Sequence, residues 1–166
     1  KPAEQTPLIA AEAVRILREA GFPGDAVQLL PGQGESVGAR LVADPRVDGV
    51  VFTGSTEVAE IIHRTLARRG NVPLVAETGG QNAMVVDSSA LPEQVVADAI
   101  ASAFDSAGQR CSALRVLCLQ EEIAGRVLPM LAGAMAELAV GEPSRLATDV
   151  GPIIDEAARA GLEAHI

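Results

Sequence analysis

Apolar positions along this chain switch between two spacings, and the switching predicts strands separated by helices. Thr6 and Pro7 open a helix whose apolar positions Ile9, Ala13, Ile16, Leu17 and Ala20 recur at helical spacing. Gly21 and Pro23 end it. Ala26 to Leu30 reads as a short strand, and Pro31-Gly32-Gln33-Gly34 as a turn into a second helix reaching about Ala43. Gly49 to Thr53 is a continuous apolar strand. Gly54-Ser55-Thr56 follows it and starts a third helix carrying Val58, Ile61, Ile62 and Leu66. Leu74 to Ala76 is a further strand that reaches Glu77. Beyond Gly79-Gly80 the alternation resumes with a strand over Ala83 to Val86. A helix from Leu91-Pro92 then sets Val95, Val96, Ala99, Ile100, Ala103 and Phe104 on one face. Arg115 to Gln120 reads as a strand, and Ile123 to Leu138 as a helix in which Pro129 is expected to make a kink.

Strands that alternate with helices imply crossover connections and parallel sheets, so the fold class is α/β. Residues 1–78 read as part of a doubly wound, parallel-sheet nucleotide-binding domain whose first strand would precede Lys1. Residues 79–166 read as the start of a second α/β domain, with the boundary at the double glycine. An opening without methionine and an end inside a helical pattern predict a fragment of a longer protein. The sheet edge left open by the absent strand predicts self-association.

Composition narrows the function more than the fold. The chain has 166 residues, 48% of them hydrophobic, yet only three phenylalanines and no tryptophan or tyrosine. Its net charge of −9 disfavours nucleic acid, whose phosphates demand clustered basic side chains. Arg15, Arg18, Arg40, Arg46, Arg64, Arg68 and Arg69 are scattered instead and read as solvated helix faces. No apolar run approaches the roughly 18 residues that span a bilayer, so no membrane partner is expected. No signal peptide follows Lys1-Pro2-Ala3-Glu4, which predicts a cytoplasmic setting with Cys111 and Cys118 reduced. Cys118, inside Val116-Leu117-Cys118-Leu119, reads as an ordinary core residue of a buried strand. His63 and His165 lack a second ligand at metal spacing, so no metal is expected.

Two short segments carry the chemistry. Glu77-Thr78-Gly79-Gly80 puts a carboxylate at the end of an apolar run, directly before two glycines. Gly108-Gln109-Arg110-Cys111 puts a thiol after a glycine, just past an apolar helical pattern. A thiol nucleophile and a carboxylate base, each delivered by a tight loop, form a pair for covalent attack on a carbonyl. Arg110 beside the thiol either lowers its pKa or points to solvent. On the ligand side, Gly32-x-Gly34-x-x-x-Gly38 departs from the usual dinucleotide spacing, and a plain turn accounts for it equally well. Phe52-Thr53-Gly54-Ser55-Thr56 is stronger, because small residues after a buried strand let a phosphate approach the next helix's N-terminus. Lys1 and Glu4 read alone as a solvated charge pair.

Taken together, Lys1-Pro2-x-Glu4-x-Thr6-Pro7, Phe52-Thr53-Gly54-Ser55, Glu77-x-Gly79-Gly80 and Gly108-Gln109-x-Cys111 resemble the aldehyde dehydrogenase superfamily in order and spacing along the whole chain. The segments from Ala76 to Met84 and from Phe104 to Arg115 resemble its L-glutamate γ-semialdehyde (1-pyrroline-5-carboxylate) branch. In bacteria that branch includes chains carrying an FAD-dependent proline dehydrogenase domain as well. The resemblance implies that residues 1–78 are part of an NAD-binding domain and residues 79–166 the N-terminal part of the catalytic, thiol-bearing domain.

It also implies residue roles. Lys1 and Glu4 would hold the adenosine ribose hydroxyls, and the Glu4 carboxylate would repel a 2′-phosphate, favouring NAD over NADP. Gly32 and Gly54 belong to the phosphate-side loops, Ser55 to the pyrophosphate contact. Val58 and Ile62 would flank the adenine, and the Thr78 backbone would meet the nicotinamide amide. Cys111 corresponds to the nucleophile, its backbone N–H to part of the oxyanion hole, and Glu77 to the general base. Ser112 would bind the substrate's α-carboxylate; a small residue filling a turn is the alternative. The implied reaction oxidises L-glutamate γ-semialdehyde to glutamate, the second step of proline catabolism. The side-chain amide that completes the oxyanion hole lies outside this chain, as does the acid that fixes the nicotinamide ribose. The fragment alone is therefore expected to be inactive, and its parent to be a homo-oligomer. Two competing readings are a non-catalytic, aldehyde-dehydrogenase-like assembly module and an aldehyde dehydrogenase for another substrate.

Overall fold

The computed structural model describes residues 1–166, which form two compact units, Lys1–Thr78 and Gly79–Ile166. In the first, α1 spans Pro7–Glu19 and starts on a proline, whose fixed φ suits the first helical position. Gly21, at φ +93°, ends it in a conformation few other residues tolerate. A π-helical turn at Gly34–Gly38 runs into α2, Ala39–Ala43. Strand β1, Val50–Thr53, pairs in parallel with β2, Leu74–Glu77, and α3, Thr56–Ala67, connects them. The register runs from Val50 opposite Leu74 to Thr53 opposite Glu77. Helix α3 buries Ala59, Ile62 and Leu66, one stripe at helical spacing, while Ile61 on another side is 60% exposed.

Two sequence expectations change in this unit. Ala26 to Leu30 is not a strand: the Ala26 and Val27 N–H groups both donate to the Pro23 carbonyl, closing a turn. The remainder pairs with neither β1 nor β2. Helix α1 buries none of its residues, and Leu8 and Ile9 are 84% and 68% exposed. Helical spacing marks the face a helix offers for burial, not whether anything covers it. Arg69 is not a solvated helix residue either. Its guanidinium donates to the Val42 and Val47 carbonyls at 2.7 and 2.6 Å, tying the end of α3 to the chain around α2. Arg15 and Arg64 do behave as surface arginines, pairing with Glu12, Glu19 and Glu60 one helical turn away.

In the second unit, β3, Ala83–Val86, pairs in parallel with β4, Val116–Leu119. Alternation sends Met84, Val86, Leu117 and Leu119 to one face, where α4, Pro92–Phe104, and α5, Glu121–Glu137, cover them. Val86, Val95, Val96, Ile123 and Val127 form the core, with Val127 fully buried. The opposite face is bare, and Val85 is 81% exposed. Cys118, paired with Val85, lies exposed on that bare face, which overturns the core reading of it. The alternation of β4 assigned Cys118 to a face; it could not say that helices cover only the other one. Both cysteines are free thiols. Helix α5 runs through Pro129 as one element. Residues Val140 and Val150 form a parallel bridge before α6, Glu156–His165, whose first turn is capped by the Asp155 carboxylate accepting from the Ala158 N–H at 2.8 Å. Each sheet has only two strands, too few to be stable on its own without the helices packed against it. No helix is long and apolar enough to cross a membrane.

Candidate active site

The first unit gathers ligand-binding candidates at the ends of its parallel strands. Because Thr53 pairs with Glu77, both strands finish side by side, and the Gly54 N–H donates to the Glu77 carbonyl at 3.1 Å. Gly54, Ser55, Glu77 and Thr78 thus share the carboxyl edge of the sheet, the edge at which open α/β sheets take ligands. Glu77 and Ser55 are exposed there. At Gly54 a Cβ would meet the ring of Phe52, which would have to move aside. Ser55 caps α3, its Oγ accepting from the Val58 N–H at 3.3 Å. Glu57 sits in the same first turn, its carboxyl held below the usual range by a backbone N–H of its own residue and by the Ser55 hydroxyl. Of the two residues expected beside an adenine, Val58 is 43% exposed and offers surface, while Ile62, 8% exposed, belongs to the core.

A second cluster joins distant parts of the same unit. One oxygen of Glu4 accepts from Lys1 Nζ at 2.7 Å and from the Gly34 N–H at 2.6 Å. The Lys1 hydrogen bond, followed by backbone N–H donors, lowers the Glu4 carboxyl to about 2. Its folded pKa lies below the ordinary one, so this link is complete above the usual carboxylate range and is lost as pH falls towards 2. Lys1 and Glu4 are therefore more than a solvated pair: they pin the glycine turn. Gly32, at φ +145°, has Val37 folded over it, and a Cβ would come within 2.5 Å of Val37 Cγ2. The turn itself thus demands glycine at position 32.

In the second unit the thiol loop is fixed by side chains from four directions. After α4 the chain reverses through Ser106, Ala107 and Gly108, all left-handed, with φ of 57°, 54° and 66°. Two of these are not glycine, and each carries a strain of about 1–2 kcal/mol. Asn82, just before β3, donates both amide hydrogens across the loop, to the Cys111 carbonyl at 2.6 Å and the Ala113 carbonyl at 2.9 Å. The Asn82 carbonyl accepts from the Arg115 and Val116 N–H groups. Gln109 reaches the other way, its Nε2 donating to Pro152 and Ser106 carbonyls and its Oε1 accepting from the Ile154 N–H at 2.8 Å. Arg115 donates to the Gly108 carbonyl at 2.6 Å. The Arg110 guanidinium is tied down on the surface, donating to the Ala101 and Ser102 carbonyls near the end of α4. Beneath the loop Ala113 is completely buried, while Cys111 and Ser112 are exposed above it.

The strain makes Gly108 a sensitive position. A Cβ there would lie 2.7 Å from the Ala103 carbonyl oxygen, and the left-handed φ adds its own penalty. Gly108→Ala is expected to cost about 2 kcal/mol or more, read as a lower midpoint in denaturant unfolding. An unchanged midpoint would mean that the turn opens at little cost.

Glu77 stands on the first unit and Cys111 on the second. Sequence reasoning singled out both but gave no role to Asn82, Gln109 or Arg115. Gln109 lies inside the glycine-to-cysteine motif and Asn82 two residues after the double glycine, so position was the available signal. Their targets, backbone groups up to 45 residues away along the chain, leave no trace in local pattern.

Known proteins resemble this chain along its whole length. The Escherichia coli (strain K12) bifunctional protein PutA is 66% identical over 171 residues, which cover all of this chain and 13% of that protein. A 1-pyrroline-5-carboxylate dehydrogenase of Bacillus cereus is 39% identical over 163 residues, 95% of this chain and 32% of that protein. A crystal structure of a variant of Bradyrhizobium japonicum proline utilization A superposes with a TM-score of 0.91 at 58% identity, covering 99% of this chain and 17% of that one. A Thermus 1-pyrroline-5-carboxylate dehydrogenase with bound NAD superposes at 0.88 with 33% identity, covering 99% of this chain and 33% of that one. The chain thus spans about an eighth of the PutA relative and about a third of the 1-pyrroline-5-carboxylate dehydrogenases it matches. The aldehyde dehydrogenase family pattern fits residues 1–166 without leaving either unit outside it, and a chain with that match and with parallel α/β units carrying an exposed, wired cysteine loop belongs to the aldehyde dehydrogenase family.

Proposed function

We propose that this chain is a segment of an enzyme that oxidises L-glutamate γ-semialdehyde to glutamate with NAD, within a longer polypeptide that also carries a proline dehydrogenase domain. The observation that carries the reading is Cys111, exposed at the crest of a loop whose backbone is held by Asn82, Gln109 and Arg115. Identity to proteins named for 1-pyrroline-5-carboxylate dehydrogenation supports the substrate. Fold alone does not select it, since a succinate-semialdehyde dehydrogenase of Burkholderia pseudomallei superposes equally well, with a TM-score of 0.91.

In this reading the Cys111 thiolate adds to the aldehyde carbon and forms a thiohemiacetal. Its negatively charged oxygen is received by the Cys111 N–H, which has no acceptor within the chain. When bound, NAD supplies the acceptor for the hydride that leaves this carbon. A thioester remains on Cys111. Glu77 takes a proton from water, the resulting hydroxide adds to the thioester, and the carbon–sulfur bond breaks to release glutamate and regenerate the thiolate. The adenosine half of NAD suits the first unit, where Lys1 and Glu4 adjoin the glycine turn and Ser55 caps an exposed helix start. Gly32, Gly54, Val58 and the Thr78 backbone are proposed to complete that site, whereas the buried Ile62 offers it little surface.

Ser112, exposed next to the nucleophile, is proposed to hold the substrate's α-carboxylate. Ser112→Ala in the full-length enzyme should raise KM for the semialdehyde about tenfold or more, the loss of one hydrogen bond to a charged group. For propanal, which lacks a carboxylate, KM should hardly move. Equal changes for both substrates would remove Ser112 from the substrate site. The reading as a whole is tested by NADH formation with glutamate semialdehyde against propanal. Preference for the semialdehyde supports it; activity on propanal alone would leave an aldehyde dehydrogenase of another specificity.

A further inference from the structure

Cys111 sits between two peptide planes, and the structure shows what holds each of them. The plane before it is fixed by a turn, in which the Ala113 N–H donates to the Arg110 carbonyl at 3.2 Å. The plane after it is fixed by Asn82, whose amide donates to the Cys111 carbonyl at 2.6 Å. Peptide units are planar and trans, so pinning a carbonyl also aims the N–H on the opposite side of the same plane. The first pin therefore aims the Cys111 N–H, and the second aims the Ser112 N–H. With both planes set, the direction of the Cys111 Cα–Cβ bond follows, and only one side-chain rotation remains to place the sulfur. The same Asn82 amide holds Ala113 at 2.9 Å, so the turn that fixes the first plane leans on Asn82 too.

We infer that Asn82 is the positioning residue for the nucleophile: its two amide hydrogens set the direction of the Cys111 thiol and of the N–H groups beside it. The proposal rests on the reading of Cys111 as the nucleophile. Asn82 touches no reacting atom and acts through the backbone. Its neighbours cannot take its place. Gln109 holds the segment around Pro152 to Ile154, Arg110 the end of α4, and Arg115 the Gly108 carbonyl. None of them bonds to a carbonyl of residues 111 to 113.

The experiment compares Asn82→Ala, Asn82→Asp and Cys111→Ala in the full-length enzyme, measuring kcat, KM for NAD and melting temperature. Misplacing a nucleophile by a fraction of its bond length is costly, so both Asn82 variants should lower kcat roughly tenfold to a hundredfold. KM for NAD should stay within about twofold, since uniform binding is not what is lost. The order of the two variants separates donation from space-filling. Aspartate keeps the shape of Asn82 but turns acceptor oxygens towards two carbonyls, so it should be at least as damaging as alanine. An aspartate variant clearly more active than the alanine variant would make Asn82 a spacer and overturn the proposal. So would a kcat within about twofold of the parent in either variant, or a kcat loss matched by equal losses in NAD affinity and melting temperature. If the alanine variant does not fold, the isosteric aspartate variant carries the kcat and KM comparison. Turnover that survives Cys111→Ala refutes the nucleophile reading itself; turnover lost there but kept in the Asn82 variants refutes only the positioning role.

Discussion

Cys111→Ala in the full-length enzyme is expected to abolish aldehyde oxidation, lowering kcat by about ten-thousandfold or more. The methyl group left in place of the thiol cannot form the covalent intermediate, and no other thiol lies within the loop: Cys118 is on β4, on the bare face of its sheet. NAD affinity should remain nearly unchanged. The residues proposed to hold the adenosine half, from Lys1 to Val58, belong to the first unit, and none depends on the Cys111 loop for its local hydrogen bonds. The loop should also keep its shape, because its anchors grip the backbone of residues 108, 111 and 113 and not the thiol. Steady-state kinetics beside NAD titration by fluorescence makes the comparison. Persistent turnover would remove Cys111 from the chemistry; a parallel collapse of NAD affinity would show that the substitution had disturbed more than the sulfur.

Glu77→Gln is expected to give a different signature. Glutamine keeps the shape of the side chain but cannot accept a proton from water. Thiol attack and hydride loss precede the step that needs water, so the first turnover should still form NADH. A burst of about one equivalent per active site should precede a steady state reduced by roughly 10²–10⁴-fold, the usual contribution of a general base. Intact-protein mass spectrometry should find the acyl group on Cys111 during the slow phase. Steady-state turnover near that of the parent would mean that another group activates the water. A burst lost together with the steady state would place Glu77 in the earlier steps instead. Because Glu77 pairs with Thr53 and accepts from Gly54 through its backbone, the side-chain change should leave the strand end intact.

The local elements were largely legible. Helices α1, α3, α4 and α5, and all four strands, announce themselves through apolar spacing bounded by glycine, proline or capping residues. Cys111 and Glu77 could be read because chemistry-bearing side chains next to glycines are conspicuous in a chain with so few charged or nucleophilic groups in its apolar runs. Where the sequence reading failed, the cause was a partner that no local pattern records. The segment Ala26 to Leu30 has strand-like composition but no strand beside it. Cys118 has the alternation of a strand but no helix over its face. Arg110 and Arg69 look like surface charges and turn out to cap backbone carbonyls.

By itself, then, the sequence determined the α/β alternation, the helix and strand positions to within a few residues, and the identity of the two groups proposed for the chemistry. These follow from spacing, capping and side-chain type, which act over a few residues. Only the tertiary structure decided which strand faces are covered, which glycines are forced by close approach, and how Cys111 is held. Those depend on contacts such as Asn82 to Cys111 and Gln109 to Ile154, between residues 29 and 45 positions apart. Hydrogen bonds of that span form only after the chain has folded, and so they belong to the fold and not to any stretch of sequence.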